Sequence, residues 1–330
     1  MQPEQYSVCP SKLNSGSMAL VTFAESGRLN IKGIKRIWCK AQLELRGQLD
    51  PALRQAEWQQ DLAIMDMIGV GLEEWMQQVF HCQTFIEFED WIDKKLVNKP
   101  VNNKLKVCFQ SNLLTQQQHE FFSEYGYLVI PSVITKLQAQ QTCDFIWHFL
   151  GKEPANPETW THPHPAWQKT MVQLFDHPLL TKNRNSEKIQ QLYQELWQTT
   201  ELVTSTDRVG FNPPETPRLG YQGIGLHWDL DLSSPIKFGL QGLVYLTDTA
   251  ENQGAFTCVP GFQHKIDDWL AELPEGADPQ LQNLAVLGAK PIAACAGDFI
   301  VWHQALPHGN SPNTANSARM VQYINMYPVT

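Results

Sequence analysis

Two histidines and one aspartate are the residues best placed to do chemistry together. In His227-Trp-Asp229 an imidazole and a carboxylate stand two residues apart. Read as a strand, that spacing turns both side chains to one face, within reach of one ion. Such a pair suits a non-haem Fe(II) site, which takes two histidines and one carboxylate and keeps positions open for other ligands. Asp231 falls on the same face, but i and i+4 in a strand lie roughly 13 Å apart, so it is a poor third ligand. The run Leu306-Pro-His308-Gly-Asn-Ser-Pro-Asn313 offers the second histidine, and Arg319 follows eleven residues after it. A guanidinium pairs with a carboxylate through two parallel hydrogen bonds. Arg319 is therefore a candidate anchor for a dicarboxylate cosubstrate.

His227 and His308 are 81 residues apart, so only a closed fold of distant strands can unite them. From about residue 203 the sequence has the texture such a fold needs. Short apolar runs at 207–211, 239–246, 254–259, 289–294, 298–302 and 320–326 alternate with turn signals such as Pro213-Pro214, Pro260-Gly261 and Gly297-Asp298. That pattern predicts an antiparallel sandwich or barrel. Upstream, Thr115-Gln-Gln-Gln118 reads as a capping box, Gly126 as a helix stop and Tyr127–Ile130 as a strand. A helix carrying Leu137, Phe145, Ile146 and Phe149 follows. Further upstream, Trp58, Leu62, Met65, Leu72, Trp75, Met76 and Val79 recur at helical spacing over 52–80. Gly69 and Gly71 interrupt them, and Phe85, Phe88, Trp91 and Ile92 suggest a further short helix. A linker is expected over 94–106. The organisation is thus a helical segment, 1–105, before a main domain, 106–330.

Composition narrows the class. Of 330 residues 42% are hydrophobic and 18% charged, a globular balance. The net charge of -9 argues against a nucleic-acid binder. No apolar run is long enough for a membrane span, and no secretory signal is read at the N-terminus. The seven cysteines are widely spaced, with no C-x-x-C pair, which fits idle thiols in a cytoplasmic protein. Lys32, Lys35, Arg36 and Lys40 form a mildly basic stretch, read either as a solvated face or as a docking surface for an anionic partner.

Taken in order, the motifs of residues 113–330 resemble the phytanoyl-CoA hydroxylase-like (PhyH) family of Fe(II)/2-oxoglutarate-dependent dioxygenases. They run His227-Trp-Asp229, Leu246-Thr-Asp248, Asn252-Gln-Gly-Ala-Phe256, Pro260-Gly261, Gly297-Asp298, His308-Gly-Asn-Ser-Pro-Asn313 and Arg319. The opening Phe121–Ile130 segment is also similar. The resemblance implies an all-β core with flanking helices, a double-stranded β-helix (jelly roll, cupin-like) preceded by the α-helical N-terminal segment. It implies that His227, Asp229 and His308 hold Fe(II), that 2-oxoglutarate and O2 fill the open positions, and that Arg319 pairs with the distal carboxylate of 2-oxoglutarate. Gln241 and, more weakly, Asn212 match positions that contact this cosubstrate. Asp229 is intact, so halogenation is not expected. Two departures are Gln263 in Pro260-Gly-Phe-Gln-His264 and Asn310 two past the distal histidine.

The expected activity is hydroxylation of an unactivated C–H bond of a small-molecule substrate, with succinate and CO2 as co-products. Arg208, Trp302 and His303 are candidate substrate contacts. Each has a structural alternative: an internal ion pair for Arg208, wall packing for Trp302 and a satisfied strand histidine for His303. Loops 152–167 and 262–288 are expected to set specificity. The N-terminal helices are left with three roles: a homodimer surface, a cover for the site, or a carrier-binding surface. Two rivals stay open. One is a non-catalytic binding or regulatory protein on the same fold, and the other is a metal oxygenase that does not use 2-oxoglutarate.

Overall fold

The computed structural model describes residues 20–22, 25–50, 61, 64, 65, 68, 70, 72–97, 113–217, 219–232 and 235–329. Helical expectations on Trp58 and Leu62, and the linker beyond Val97, lie outside these. The chain divides into two compact units, 1–68 with 72–99, and 69–71 with 100–330.

In the first unit, α1 (Ile34–Leu45), α2 (Leu72–His81) and α3 (Phe85–Val97) bury an aromatic core. Met65, Trp75, Val79, Phe88 and Ile92 are buried, and Trp75 meets Phe88 edge-on at 5.1 Å. Thr84 caps α3: its Oγ1 accepts from Glu87 N at 3.2 Å, and Glu87 Oε2 accepts from Thr84 N at 3.2 Å. The helix continues through Lys94 and Lys95, where a linker was expected. Basic residues in a last turn are favoured by the helix dipole. The basic stretch is largely consumed internally. Lys35 pairs with Glu25 at 3.1 Å, Arg36 donates to the Val21 carbonyl at 2.5 Å, and Lys40 is buried against Asp61 at 2.5 Å. That leaves little of it for an anionic partner.

The second unit is the double-stranded β-helix. Its strands are β1 (Tyr127–Ile130), β2 (Trp167–Gln168), β3 (Met171–Val172), β4 (Leu202–Thr204), β5 (Val209–Asn212), β6 (Leu240–Tyr245), β7 (Phe256–Cys258), β8 (Lys290–Ile292), β9 (Phe299–His303), β10 (His308–Asn310), β11 (Arg319–Tyr323) and β12 (Met326–Pro328). A seven-stranded sheet runs β1-β9-β6-β11-β5-β3-β2, and a smaller one runs β10-β7-β8. Single bridges at His227–His308 and Gln253–Asn313 join flanking segments to it.

Period-two alternation sorts the large sheet's side chains into two cores. Val209, Phe211, Val244, Phe299, Val301 and Met320 face outward, onto the helices that carry Ile146, Leu180, Ile189, Leu192 and Tyr193. Leu243, Tyr245, Ile300, Trp302 and Val321 face inward, towards Phe256 and Cys258 of the small sheet. Helix α4 (Gln116–Tyr125) starts at the expected Thr115 capping box and stops at Gly126, φ 76°. A second capping box, Thr135 with Gln138, starts α5 (Lys136–Phe149). The apolar run at 320–326 is two strands, because Ile324 and Asn325 leave the sheet. Asn325 instead donates to Asp207 Oδ2 at 2.7 Å and accepts from Gly242 N at 2.8 Å.

Burial pushes the Cys143 and Cys258 thiols up to about 12, so neither is a thiolate at neutral pH. The loop at 152–167 is pinned by Lys152, whose buried ammonium donates to the carbonyls of His162 and Thr159 and lies 4.4 Å from the Trp167 ring. Burial lowers its pKa from 10.5 to about 8. Between those two values the unfolded chain holds a proton that the folded chain has released. Stability from this residue therefore rises as pH climbs through the window and is lowest below it. Chemical denaturation of wild type and Lys152→Met should show the wild type gaining of order 1–3 kcal/mol on the variant over that range.

Candidate metal centre

The His227-Trp-Asp229 segment is not a strand. His227 makes one bridge to His308 and the backbone then turns away. The two side chains still converge, because paired backbone bonds fix His227 beside His308: each N–H donates to the other's carbonyl at 2.9 Å. Trp228 points away as a wedge, 3% exposed, its indole donating to Ala305 O at 2.9 Å. Gln280 clasps its backbone, accepting from Trp228 N at 3.1 Å and donating to Trp228 O at 2.8 Å. Loop 262–288 is thereby tied directly to the segment between the two ligands.

His227, Asp229 and His308 bring one donor atom each to within 4.8 Å of one another. His227 Nε2 lies 3.3 Å from Asp229 Oδ1 and His308 Nε2 lies 3.3 Å from Asp229 Oδ2. Metal–ligand bonds of about 2.1 Å at right angles put neighbouring donors about 3.0 Å apart, so each histidine–carboxylate spacing suits two neighbouring ligands on one ion. The tautomers fit too. His227 Nδ1 faces the Gly225 carbonyl at 2.8 Å and His308 Nδ1 faces the Leu306 carbonyl at 3.0 Å. A carbonyl only accepts, so in the neutral rings each Nδ1 carries the proton and each Nε2 turns a lone pair inward. Partial desolvation opposes ionisation of Asp229, yet the two histidines outweigh it and hold the carboxyl well below its usual range. These three residues can hold a divalent metal. Asp231 is not part of the set.

Gly309 keeps this geometry possible. A Cβ there would sit 2.5 Å from the Ile224 carbonyl oxygen and 2.6 Å from that of Gly225, the acceptor that orients His227. Gly309→Ala should displace that carbonyl and weaken metal binding about 10–100-fold, the usual cost of losing an outer-shell partner. Calorimetric titration with Co(II) would measure it.

Arg319 occupies the inward face of β11 and is 0% exposed. Its guanidinium lies 5.6 Å from the Tyr245 ring. None of its three nitrogens makes a well-formed hydrogen bond among the described residues, and its charge acts on the buried Tyr245 phenol beside it. Asn212 is its direct neighbour across β5, 2% exposed, and its Nδ2 is likewise unpartnered. Buried donors are normally satisfied, and a buried unpaired charge is costly. Two buried donor residues paired across neighbouring strands can together receive a carboxylate. Tyr245 Oη, accepting from Phe256 N at 2.7 Å, links this pair to the wall of the metal site, where the Phe256 ring is 6.2 Å from that of His308.

Trp302 joins the site, with its ring 5.2 Å from that of His308. Gln241 also joins it, with its amide on Asp229 rather than free in the cavity. Arg208 precedes β5, its guanidinium lies 5.6 Å from the Phe175 ring, and it has no acidic partner among the described residues. The internal ion pair that was its alternative is absent there. His303 is not brought to the metal. Alternation along β9 turns it to the face opposite Trp302, into a separate cavity of about 450 Å³ with His119, Glu195 and His264. Burial, aided by His264, lowers its pKa to about 4, so it is neutral at physiological pH. Tyr245, Gly309 and Gln280 contribute contacts that the motifs did not assign. Only Gly309 carried a signal, as the residue following the distal histidine.

Fold and donor set together define the class of 2-His-1-carboxylate non-haem oxygenases. The family "Phytanoyl-CoA dioxygenase (PhyH)" matches residues 122–321, and the chain belongs to it. A Dictyostelium discoideum protein named "Putative phytanoyl-CoA dioxygenase" is 22% identical over 263 residues, spanning 64% of this chain and 75% of that protein. Among solved structures, the epimerase SnoN from nogalamycin biosynthesis, a non-heme alpha ketoglutarate dependent enzyme, is 16% identical. It covers 65% of this chain and 83% of its own, with a TM-score of 0.49. HygX from Streptomyces hygroscopicus, with nickel and 2-oxoglutarate bound, is 17% identical over 66% and 88%, with a TM-score of 0.48. Among the described residues no helix is long and apolar enough to cross a membrane.

Proposed function

We propose that the chain is an Fe(II)- and 2-oxoglutarate-dependent dioxygenase that hydroxylates an unactivated C–H bond of a small-molecule metabolite. Arg319 carries the reading: a fully buried guanidinium with no acidic partner among the described residues, in a domain whose histidine–carboxylate set can hold a divalent metal. Its inward placement supports 2-oxoglutarate chemistry over an oxygenase that does without this cosubstrate. The intact metal set supports turnover over a binding role.

His227, Asp229 and His308 would hold the metal, and Arg319 with Asn212 would bind the distal carboxylate of 2-oxoglutarate. When bound, iron and 2-oxoglutarate supply the oxidation: O2 gives one oxygen atom to succinate and one to the product hydroxyl, and CO2 leaves. The chain's own task is placement and exclusion of water. Leu243, Ile300, Trp302 and Phe256 form a dry inner wall. Arg208 supports a substrate that carries an anionic group.

The test is O2-dependent succinate release by purified chain given Fe(II) and 2-oxoglutarate, followed by a metabolite screen for products heavier by one oxygen atom. Products formed by loss of two hydrogens instead would replace hydroxylation with desaturation or ring closure.

A further inference from the structure

Gln241 has two polar ends, and both are committed. Trp302 Nε1 donates to Gln241 Oε1 at 3.1 Å, and Gln241 Nε2 donates to Asp229 Oδ2 at 2.8 Å. An indole nitrogen can only donate. It therefore fixes the amide's polarity, with the oxygen towards Trp302 and the NH2 towards the carboxylate. Gln241 and Trp302 are direct neighbours across β6 and β9, in the middle of the large sheet. Trp302 is 3% exposed and wedged against Phe256, ring centroids 4.4 Å apart.

Asp229 has the opposite character. It stands on irregular backbone, and its side chain is 55% exposed. Its carboxylate contacts are the two ligand histidines and Gln241. Among the described residues, Gln241 is thus the one contact that ties the carboxylate to rigid sheet rather than to another member of the donor set.

We propose that Gln241 is a positioning residue for the metal-binding carboxylate, and that Trp302 acts through it by locking its amide. This rests on the reading of His227, Asp229 and His308 as the metal site. The amide holds one carboxylate oxygen and leaves the other for the metal. It also lowers the cost of bringing Asp229 into line before the metal arrives.

The experiment is Co(II) titration into apo chain by calorimetry and by visible absorption, for wild type, Gln241→Met, Trp302→Phe and the double variant. Thermal melting of each apo chain is measured alongside. Gln241→Met keeps the side chain's length and removes both hydrogen bonds. Trp302→Phe keeps an aromatic ring and removes the N–H together with part of the indole's bulk. Gln241→Met should bind Co(II) about 10–100-fold more weakly and with an altered Co(II) spectrum, while its apo melting temperature stays near wild type. Trp302→Phe should move affinity the same way by less. The double variant should match Gln241→Met, because the two groups act in series. In turnover, added metal should restore Gln241→Met activity, with the KM for 2-oxoglutarate changed less than the metal requirement. Wild-type affinity and spectrum in Gln241→Met would overturn the positioning role and leave the metal site standing. Additive losses in the double variant would overturn the relay from Trp302. No Co(II) binding by wild type would overturn the metal site itself, and the positioning role with it.

Discussion

Arg319→Met is expected to make the ligand-free chain more stable and to disable it towards 2-oxoglutarate. The guanidinium is fully buried and has no acidic partner among the described residues. Replacing a buried uncompensated charge by an apolar side chain of similar length is neutral or stabilising by about 1–4 kcal/mol. The same change removes the partner of a buried carboxylate. Truncating one side of such a pair costs about 2–5 kcal/mol, which is roughly 30- to 5,000-fold in affinity. Wild type should therefore melt at a higher temperature when 2-oxoglutarate and metal are added, through linkage. Arg319→Met should start from an equal or higher melting temperature and gain little from 2-oxoglutarate. Succinate release should return only at high cosubstrate. A variant that melts far below wild type would show that Arg319 is paired internally, which a carboxylate-receiving role does not allow.

His308→Ala should abolish metal binding, with a loss beyond the roughly 10–100-fold that an outer-shell change costs. It should take succinate release with it. His308 is more than a donor atom: its backbone pairs with His227 in both directions, and its ring contacts Trp302 and Phe256. The alanine keeps the backbone bridge, so His227 and Asp229 stay in place with one ligand missing. Iron content after anaerobic loading reads the effect directly. Full iron retention in His308→Ala would move the third ligand elsewhere. His303 would not serve, since its side chain lies on the opposite face of β9.

Much of this was legible in the sequence. The eleven-residue spacing of His308 and Arg319 and the His227-Trp-Asp229 motif pointed to the residues that the structure places on the inward side of the β-helix. The reading failed where contacts depend on tertiary geometry alone. His227-Trp-Asp229 was taken for a strand because i and i+2 share a face there. The actual segment achieves the same convergence through a single bridge and a turn. His303 sits one residue from Trp302, and the parity of the strand decides which of them meets the metal. The resemblance points Gln241 towards the cosubstrate, and nothing in a sequence reveals that its oxygen also accepts from an indole 61 residues away. The basic stretch at Lys32–Lys40 looked available because its acidic partners, Glu25 and Asp61, are set by folding.

The most direct test of the central claim is an anaerobic titration of 2-oxoglutarate into Fe(II)-loaded chain, followed by visible absorption. Chelation of Fe(II) by a 2-oxo acid produces a charge-transfer band that neither component shows alone. The account predicts a saturable band in wild type, a curve shifted to much higher 2-oxoglutarate in Arg319→Met, and no band in His308→Ala. An Fe(II)-loaded wild type that shows no band at any 2-oxoglutarate concentration would contradict it.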